Sequence, residues 1–186
     1  VSHLRLAAHL LLAFAVAQYV LWVQLGLDRG PRQGLSGRFR GRVVAVIGLT
    51  AVQIVWGAFM AGKDAGLVSN TWPTMNGRWL PSALWVEDGL WHGLVFDPHM
   101  IHWAHRTFAW VVALACVGVA VQAVRSGSAA VRRAGIAVGG LVLVQFALGV
   151  WTVLSQVHLH VAVTHQVVAL LLLSALTWVL QRSGAA

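Results

Sequence analysis

Three histidines lie inside long apolar segments of the sequence, where an ionisable side chain is energetically costly. His9, His105 and His165 each follow the start of such a segment by about one and a half to two helical turns. Ionisable residues at membrane depth are rare and mark candidate functional sites. Any one of them could instead be a bundle residue that hydrogen-bonds a neighbouring helix. Three at nearly one depth favour a role in binding.

Imidazoles on separate helices could hold zinc, copper or a haem. A haem suits the apolar surroundings best, because two histidines from facing helices can bind both sides of the iron while apolar side chains enclose the porphyrin. The spacing between His105 and His165 corresponds to one helix inward, a short turn, one helix outward and a return. It predicts that these two histidines face each other across a four-helix arrangement.

Two polar residues close to His105 have open roles. His102 is three residues before His105 on the same helix face, which His99 extends outward. His102 could order a haem propionate or relay a proton, but a polar residue at the membrane interface is the simpler interpretation. Arg106 could snorkel to the membrane surface, or its forked guanidinium could bind a propionate.

The remaining histidines carry simpler expectations. His158 and His160 lie where the last apolar segment begins, and we expect them to be solvated without assigning them a role. His3 and His92 are expected to lie at the surface.

Five apolar segments are long enough to hold these histidines within a bilayer. The chain of 186 residues is 59% hydrophobic and 10% charged, with a mean hydropathy of +0.76, which is typical of a membrane protein. The apolar runs are continuous and do not alternate with a period of two, so they predict helices rather than a barrel. The expected fold class is an all-α polytopic membrane protein, with helices at Leu4–Leu27, Val43–Ala61, Met100–Val124, Gly135–Leu154 and His158–Leu180.

The net charge of +8 could indicate a nucleic-acid-binding protein, but the positions of the basic residues favour a membrane topology. Arginines cluster in the short loops, which are cytoplasmic by the positive-inside rule. The segment 62–98 carries four of the five acidic residues and is expected on the other side. Five helices then place Val1 outside and Ala186 in the cytoplasm, and no nucleic-acid partner is expected. The cytoplasmic arginines are Arg29, Arg32, Arg38, Arg40, Arg42, Arg125, Arg132, Arg133 and Arg182.

The single cysteine and the first residue complete the composition. Cys116 lies in the middle of an apolar segment and is expected to be a small core residue, and one cysteine cannot form an internal disulfide or a thiolate metal cage. The sequence begins at Val1 without an initiator methionine or a signal-peptide pattern, which we interpret as a cut end.

The acidic segment 62–98 is long for a connection without function. It contains Trp72, Trp79, Trp85 and Trp91 among prolines and glycines. Two interpretations stay open: a lid on the outer membrane face, with a short amphipathic helix near Pro81–Leu90, or simple interfacial anchoring by the tryptophans.

An internal repeat relates the first and last apolar segments. Aligning RLAAHLLLAFAVAQYVLWV (5–23) with VAVTHQVVALLLLSALTWV (161–179) superposes His9 on His165, and Trp22 on Trp178. Both segments are expected to run from the outside inward, so the match indicates two copies of one unit.

Four stretches carry a resemblance to a known family. WGAFMAGKDAGLVSNTWPTMNGRWLP (56–81), FDPHMIHWAHR (96–106) and LGVWTVLSQVHLHVAVTHQ (148–166) resemble the haem A synthase family in its alphaproteobacterial and mitochondrial form. RLAAHL (5–10) resembles the fourth transmembrane helix of that family. The resemblance covers essentially the whole chain and implies an eight-helix protein of two four-helix halves, of which this chain holds helices four to eight.

The resemblance also divides the chain into parts. Residues 1–27 would be the last helix of the N-terminal half, which binds the substrate haem O, and residues 28–42 would be a cytoplasmic linker. Residues 43–182 would form the four-helix domain that binds haem b, with residues 62–98 as its outer loop.

The resemblance implies roles for three histidines. His105 and His165 match the two axial ligands of the haem b iron, and His9 matches one of the two histidines that face the substrate haem. The acidic residue thought to act in catalysis in this family would lie on a helix absent from this chain, so no catalytic residue is assigned.

The implied reaction oxidises the C8 methyl of haem O to a formyl group and yields haem A for cytochrome oxidase, with haem b serving electron transfer. This chain alone is expected to be inactive, because half of the substrate pocket would be missing. The implied partners are haem O, membrane lipid, haem O synthase and cytochrome oxidase assembly factors, in the bacterial inner membrane. Assembly into a homo-oligomer is left open.

Two other function classes stay open on the residues alone. A b-type electron-transfer cytochrome would use the same two ligands without chemistry on a substrate. A transporter with proton-relaying histidines would need broken helices and a site at the midplane, whereas these histidines lie near one face.

Overall fold

The computed structural model describes residues 2–28, 34–81 and 89–184, and within these ranges the regular structure is helical. Every helix except the short α3 is long and apolar enough to cross a membrane. The predicted class, an all-α polytopic membrane protein with five spans, is confirmed. The helices are α1 (His3–Leu27), α2 (Gly37–Gly62), α3 (Leu90–Phe96), α4 (Pro98–Val124), α5 (Ala129–Leu154) and α6 (Leu159–Arg182), with one turn of 3₁₀ helix at Ala65–Leu67.

Helices α2 and α5 begin earlier than hydropathy predicts. Their first residues, Gly37 and Ala129, lie six positions before the predicted starts at residues 43 and 135. In each case a serine caps the helix: Ser36 Oγ accepts from the Phe39 N–H at 3.3 Å, and Ser128 Oγ accepts from the Val131 N–H at 3.4 Å. Hydropathy finds where the apolar run begins, whereas the cap sets where the backbone becomes helical.

Four helices form a closed ring, as predicted for a four-helix bundle. Helix contacts run from α2 to α4, α4 to α5, α5 to α6 and α6 back to α2, so α4 lies diagonally across from α6. Helix α1 packs outside this ring, against α2 and α6. The assignment of these helices to separate functional parts stays a prediction.

The bundle has two ends that the chain connects differently. The long-loop end carries the segment 62–98, and the arginine-rich end carries the connections 28–36 and 125–128. Helices α1, α4 and α6 run from the long-loop end to the arginine-rich end, and α2 and α5 run back. The parallel direction predicted for the first and last spans is therefore confirmed.

The densest part of the core lies in the arginine-rich half of the ring. Small and branched side chains from all four helices meet there, including the fully buried Cys116, which is a core residue as predicted. Gly135 permits the close crossing of α4 and α5, because an added Cβ would lie 2.5 Å from Ala123 Cβ. Other members of this core are Val43, Val46, Val112, Val119, Val131, Val138, Val142, Leu172, Leu176 and Val179.

Polar contacts join α1 to α6 in the middle of the apolar spans. Gln18 donates through Nε2 to Ser174 Oγ at 3.1 Å and accepts at Oε1 from Thr177 Oγ1 at 2.8 Å. Near the arginine-rich end, Arg182 pairs with Asp28. Interhelical hydrogen bonds of this kind stabilise contacts between spans.

The loop at the long-loop end folds onto α4. Trp103 donates its indole N–H to the Trp79 carbonyl at 3.1 Å, and Arg106 Nη2 donates to the Pro73 carbonyl at 3.0 Å. Within the loop, Met75 and Arg78 pair through both backbone hydrogen bonds around a turn with Asn76 and Gly77 in the left-handed region.

The loop has features of both sequence interpretations. It covers part of the bundle, yet Trp79 and Trp91 are strongly exposed, as interfacial anchors would be. The short helix predicted near Pro81–Leu90 falls mostly on residues 82–88, which lie outside the described residues. The described helix here is α3, which begins at Leu90.

Candidate functional site

The three intramembrane histidines lie at matching depths. His9 is the seventh residue of α1, His105 the eighth of α4 and His165 the seventh of α6. All three helices start at the long-loop end, so each imidazole lies about 10 Å below that end at about 1.5 Å per residue. The equal depth inferred from the sequence agrees with these helix bounds.

His105 packs against α2 and contacts that helix at two positions. The Gln53 side-chain Nε2 donates to the His105 carbonyl at 2.9 Å and lies 3.2 Å from the imidazole Nδ1. Gly57, one turn further along α2, leaves room for the ring: an added Cβ would lie 3.4 Å from His105 Cε1. The imidazole Nε2 makes no hydrogen bond with the described residues.

His165 has matching neighbours on α5. Gln145 Nε2 lies 3.4 Å from the imidazole Nε2, and a Cβ added at Gly149 would lie 3.1 Å from His165 Cε1. The Nδ1 of His165 is buried and has no hydrogen-bond partner among the described residues. Each histidine therefore has one ring nitrogen next to a glutamine amide and one without a partner.

The two histidines belong to diagonally opposed helices of the ring. Because α4 and α6 are separated by α2 on one side and α5 on the other, His105 and His165 lie on opposite sides of the bundle interior. The sequence prediction that they occupy facing positions agrees with this arrangement.

The contacts of the two histidines belong to a second sequence repeat, which relates α2 to α5 and which the comparison of the first and last spans did not reveal. Residues 45–57 of α2 and 137–149 of α5 share the pattern A-V-x-G-L-x-x-V-Q-x-x-x-G. In each copy, the glutamine and the final glycine of this pattern are the residues that contact a histidine. The ring is thus built from two similar helix pairs, α2 with α4 and α5 with α6, and this repeat could have identified Gln53 and Gln145 from the sequence.

His9 lies apart from the other two histidines. Its side chain is exposed on the face of α1 that is turned away from the ring, together with Arg5 and Leu12. Among the described residues, no group of three or more His, Cys, Asp or Glu side chains is arranged to hold a metal ion. The zinc or copper alternative, in which three imidazoles share one ion, therefore lacks support within the described ranges.

His102 lies near the start of α4. Its side chain is fully buried, beside the backbone of Ala65 in the 3₁₀ turn, and neither ring nitrogen makes a hydrogen bond with the described residues. The 3₁₀ turn packs against the start of α4, and the position of His102 near the membrane interface stays a prediction. Arg106 also lies at this end. Its Nη2 donates to the Pro73 and Thr74 carbonyls of the loop, and its Nη1 is buried and has no hydrogen-bond partner in the described ranges.

Of the other histidines with an expected exposure, one differs from the expectation and three agree with it. His3 was expected at the surface but is buried, edge-on to the rings of Phe59 and Phe96. It lies so close to Gly62 that an added Cβ there would be 2.6 Å from His3 Cβ. The remaining histidines are exposed: His92, His158 and His160, as expected, and also His99.

A groove on the described surface lies away from these histidines. It runs between α4 and α5 at the arginine-rich end and is lined mainly by apolar side chains such as Val121, Ile136 and Leu143. An open apolar groove between spans fits a lipid acyl chain. It contains no group suited to chemistry, so the candidate site remains the pair His105 and His165.

Comparisons with known proteins bear on the whole chain. The COX15-CtaA family model, described as cytochrome oxidase assembly protein, matches residues 1–177. The chain is 40% identical to the heme A synthase of Rhodospirillum centenum over 184 residues, covering 97% of this chain and 49% of that protein. It is 40% identical to the heme A synthase of Rhizorhabdus wittichii over 181 residues, covering 96% and 51%, and 38% identical to that of Sphingopyxis alaskensis over 186 residues, covering 99% and 52%. The chain thus spans about half the length of these curated relatives.

Proposed function

The chain belongs to the COX15-CtaA family of cytochrome oxidase assembly proteins, and on this premise we propose that it forms part of a haem A synthase. The proposed reaction oxidises the C8 methyl of haem O to a formyl group and gives haem A. The proposed share of this chain is a bundle that binds haem b and one helix, α1, that contributes to the substrate site.

The observation that carries the proposal is the arrangement of His105 and His165 inside the ring. Two imidazoles on diagonal helices would supply a pair of nitrogen donors to a haem iron, through Nε2 of His105 and Nδ1 of His165, the ring nitrogens that do not lie beside a glutamine amide. The fit is supported by Gly57 and Gly149, which leave space beside the two rings where any other residue would place a Cβ. When bound, a haem with two imidazole ligands supplies one-electron transfer.

Several side chains of the ring and its loop would each have a distinct role around a bound haem. His105 and His165 would hold the iron, and the packed core on the arginine-rich side would prevent the group from sliding deeper. The loop that Arg106 and Trp103 fasten to α4 would exclude water from the long-loop end. The partnerless Nη1 of Arg106 and the buried His102 would be available to a propionate.

His9 is proposed to face the substrate. It is exposed on the outer face of α1, away from the ring, so a large apolar molecule approaching through the bilayer could reach it. The polar contacts of Gln18 with Ser174 and Thr177 fix α1 to α6, the helix of His165.

The proposed setting follows from the same family. We place the protein in the bacterial inner membrane with the arginine-rich end and the C-terminus in the cytoplasm. The proposed partners are haem O, membrane lipid, haem O synthase and cytochrome oxidase assembly factors. We expect the chain alone to be inactive toward haem O, since it spans about half of its relatives.

A chimera tests the proposal. The segment of the Rhodospirillum centenum heme A synthase that this chain matches is replaced by the chain, and extracted pigments are measured in cells that make haem O. We expect haem A from the chimera and none from the chain alone, and we expect His9→Ala in the chimera to lower haem A while the b-type spectrum persists. A chimera with a b-type spectrum and no haem A would instead favour the electron-transfer cytochrome.

A further inference from the structure

Two glutamines occupy matched positions in the apolar ring, next to the two histidines. Gln53 and Gln145 each lie nine residues before the last residue of their helix, and each places its amide nitrogen beside an imidazole nitrogen, at 3.2 and 3.4 Å. A glutamine within a span is costly unless its amide is used. Both positions belong to the α2/α5 repeat, so the feature occurs twice.

The amide oxygens of both glutamines are unused in the described structure. Gln53 Oε1 and Gln145 Oε1 are buried and have no hydrogen-bond partner among the described residues. A buried acceptor without a donor is destabilising. An amide can turn about its last bond, which exchanges its oxygen and its nitrogen, so each oxygen can reach the place where the amide nitrogen now lies. For Gln53 this turn gives up the hydrogen bond from Nε2 to the His105 carbonyl in exchange for the imidazole N–H.

The imidazoles can provide the missing donors. A neutral imidazole that binds a metal through one ring nitrogen carries its proton on the other, and that N–H seeks an acceptor. For His105 the nitrogen beside Gln53 is Nδ1, while Nε2 makes no hydrogen bond with the described residues. Metal binding at Nε2 would therefore fix a proton on Nδ1, facing the amide that lacks a donor for its oxygen.

We propose that Gln53 and Gln145 are positioning residues, whose amide oxygens accept the ring N–H of the axial histidines and thereby set the reduction potential of the bound haem. This inference rests on the proposed function. An acceptor at the ring N–H makes the imidazole a stronger electron donor, which stabilises the oxidised iron and lowers its potential. Gln53 is expected to act more strongly, because its amide lies closer to the imidazole nitrogen, at 3.2 Å against 3.4 Å for Gln145.

The test measures the midpoint potential of the b-type band in membranes containing the chain. Gln53→Leu and Gln145→Leu remove the acceptor, and Gln53→Glu keeps a stronger one. Gln18→Leu is the matched control, since Gln18 is also an interhelical glutamine within a span but contacts Ser174 and Thr177 instead of a histidine.

The leucine variants are expected to keep the band and to raise the potential. At a fixed potential near the midpoint, Gln53→Leu should raise the ratio of reduced to oxidised haem about tenfold, or about 59 mV for a one-electron couple. Gln145→Leu should shift it in the same direction by less, Gln53→Glu should shift it the opposite way, and Gln18→Leu should leave it unchanged. Equal potentials in Gln53→Leu and Gln18→Leu would overturn the proposal.

Loss of the band is also informative. If Gln53→Leu loses it, the potential of Gln53→Glu decides: a lowered value supports the proposal, and an unchanged or raised value overturns it. Loss of the band in Gln53→Glu as well overturns it, because the carboxylate retains the acceptor. An unaltered chain without any b-type band would instead refute the proposed function, whereas a normal band with potentials insensitive to both glutamines refutes this inference alone.

Discussion

Two glycines determine how closely the candidate ligands lie against their neighbouring helices. A Cβ at Gly149 would lie 3.1 Å from His165 Cε1, tighter than ordinary packing, and one at Gly57 would lie 3.4 Å from His105 Cε1, an ordinary contact. The two positions are equivalent in the α2/α5 repeat but differ in clearance. Alanine at these positions should therefore affect the two histidines unequally.

We expect Gly149→Ala to displace the His165 ring and to weaken retention of the bound haem by about 1–3 kcal/mol, the usual cost of overpacking. Gly57→Ala should have a smaller effect. Gly140→Ala on the same helix as Gly149 is the control, because its added Cβ meets nothing within 4 Å. The measurement is the haem content per protein, determined by pigment extraction. A larger loss of haem from Gly57→Ala than from Gly149→Ala would contradict the prediction.

The histidines that form the candidate site could be found from the sequence, while their neighbours could not. His105 and His165 stand out because an imidazole is costly in an apolar span. The burial of His3 depends on Phe59, Phe96 and Gly62, which approach it from two other helices, so its sequence position carries no sign of it. Gln53 and Gln145 become visible only when the two copies of the repeat are aligned.

Helix packing in the ring depends on small residues at the crossing of α4 and α5. Gly135 approaches Ala123 and the Ala120 carbonyl so closely that a Cβ would lie 2.5 Å from one and 3.2 Å from the other. Backbone atoms cannot move aside as a flexible side chain can. The two helices would have to separate to accept any larger residue.

Gly135→Ala should therefore destabilise the protein by about 1–3 kcal/mol. Gly140→Ala, five positions along the same helix and without neighbours, should leave stability unchanged or raise it by up to about 1 kcal/mol, since alanine favours the helix. Thermal unfolding of both variants in detergent provides the measurement. Equal melting temperatures for the two variants would show that the crossing is not tight.

Helix existence was predictable and helix boundaries were less so. Continuous apolar runs identify all five spans, but the caps Ser36 and Ser128 extend α2 and α5 beyond those runs. The loop was harder, because its fold depends on contacts distant in sequence, such as Arg106 with Pro73 and Trp103 with Trp79. Composition indicated that the tryptophans of the loop lie near the membrane surface. It did not predict that the loop is hydrogen-bonded to α4.

The charge distribution of the whole molecule sets a testable orientation. The connections at the arginine-rich end and the helix ends next to them carry nine of the thirteen basic residues, so we expect that end in the cytoplasm. Single cysteines at Asn70 and Ser126 would report on opposite ends of the bundle. The native Cys116 is fully buried and should give little background.

In whole cells, a thiol reagent that cannot cross the inner membrane should label Asn70→Cys and spare Ser126→Cys. After the membrane is permeabilised, both should react, which verifies that Ser126→Cys is reachable. Labelling of Ser126→Cys but not of Asn70→Cys in intact cells would contradict the proposed orientation.

At the scale of the molecule, the sequence predicted the number of spans, their relative directions and the facing positions of His105 and His165. It did not predict that α1 packs outside the ring, against α2 and α6, since that order depends on which residues permit close packing. The exposed face of α1, with His9, is separated from the ring interior by this arrangement.

The reduced-minus-oxidised absorption spectrum of membranes containing the chain tests the central claim most directly. The account predicts a sharp b-type band that His105→Ala and His165→Ala each abolish, while His9→Ala and the exposed-histidine control His158→Ala retain it. A band that survives either of the first two substitutions at full intensity, or that disappears with His9→Ala, would contradict the assignment of His105 and His165 as the paired ligands.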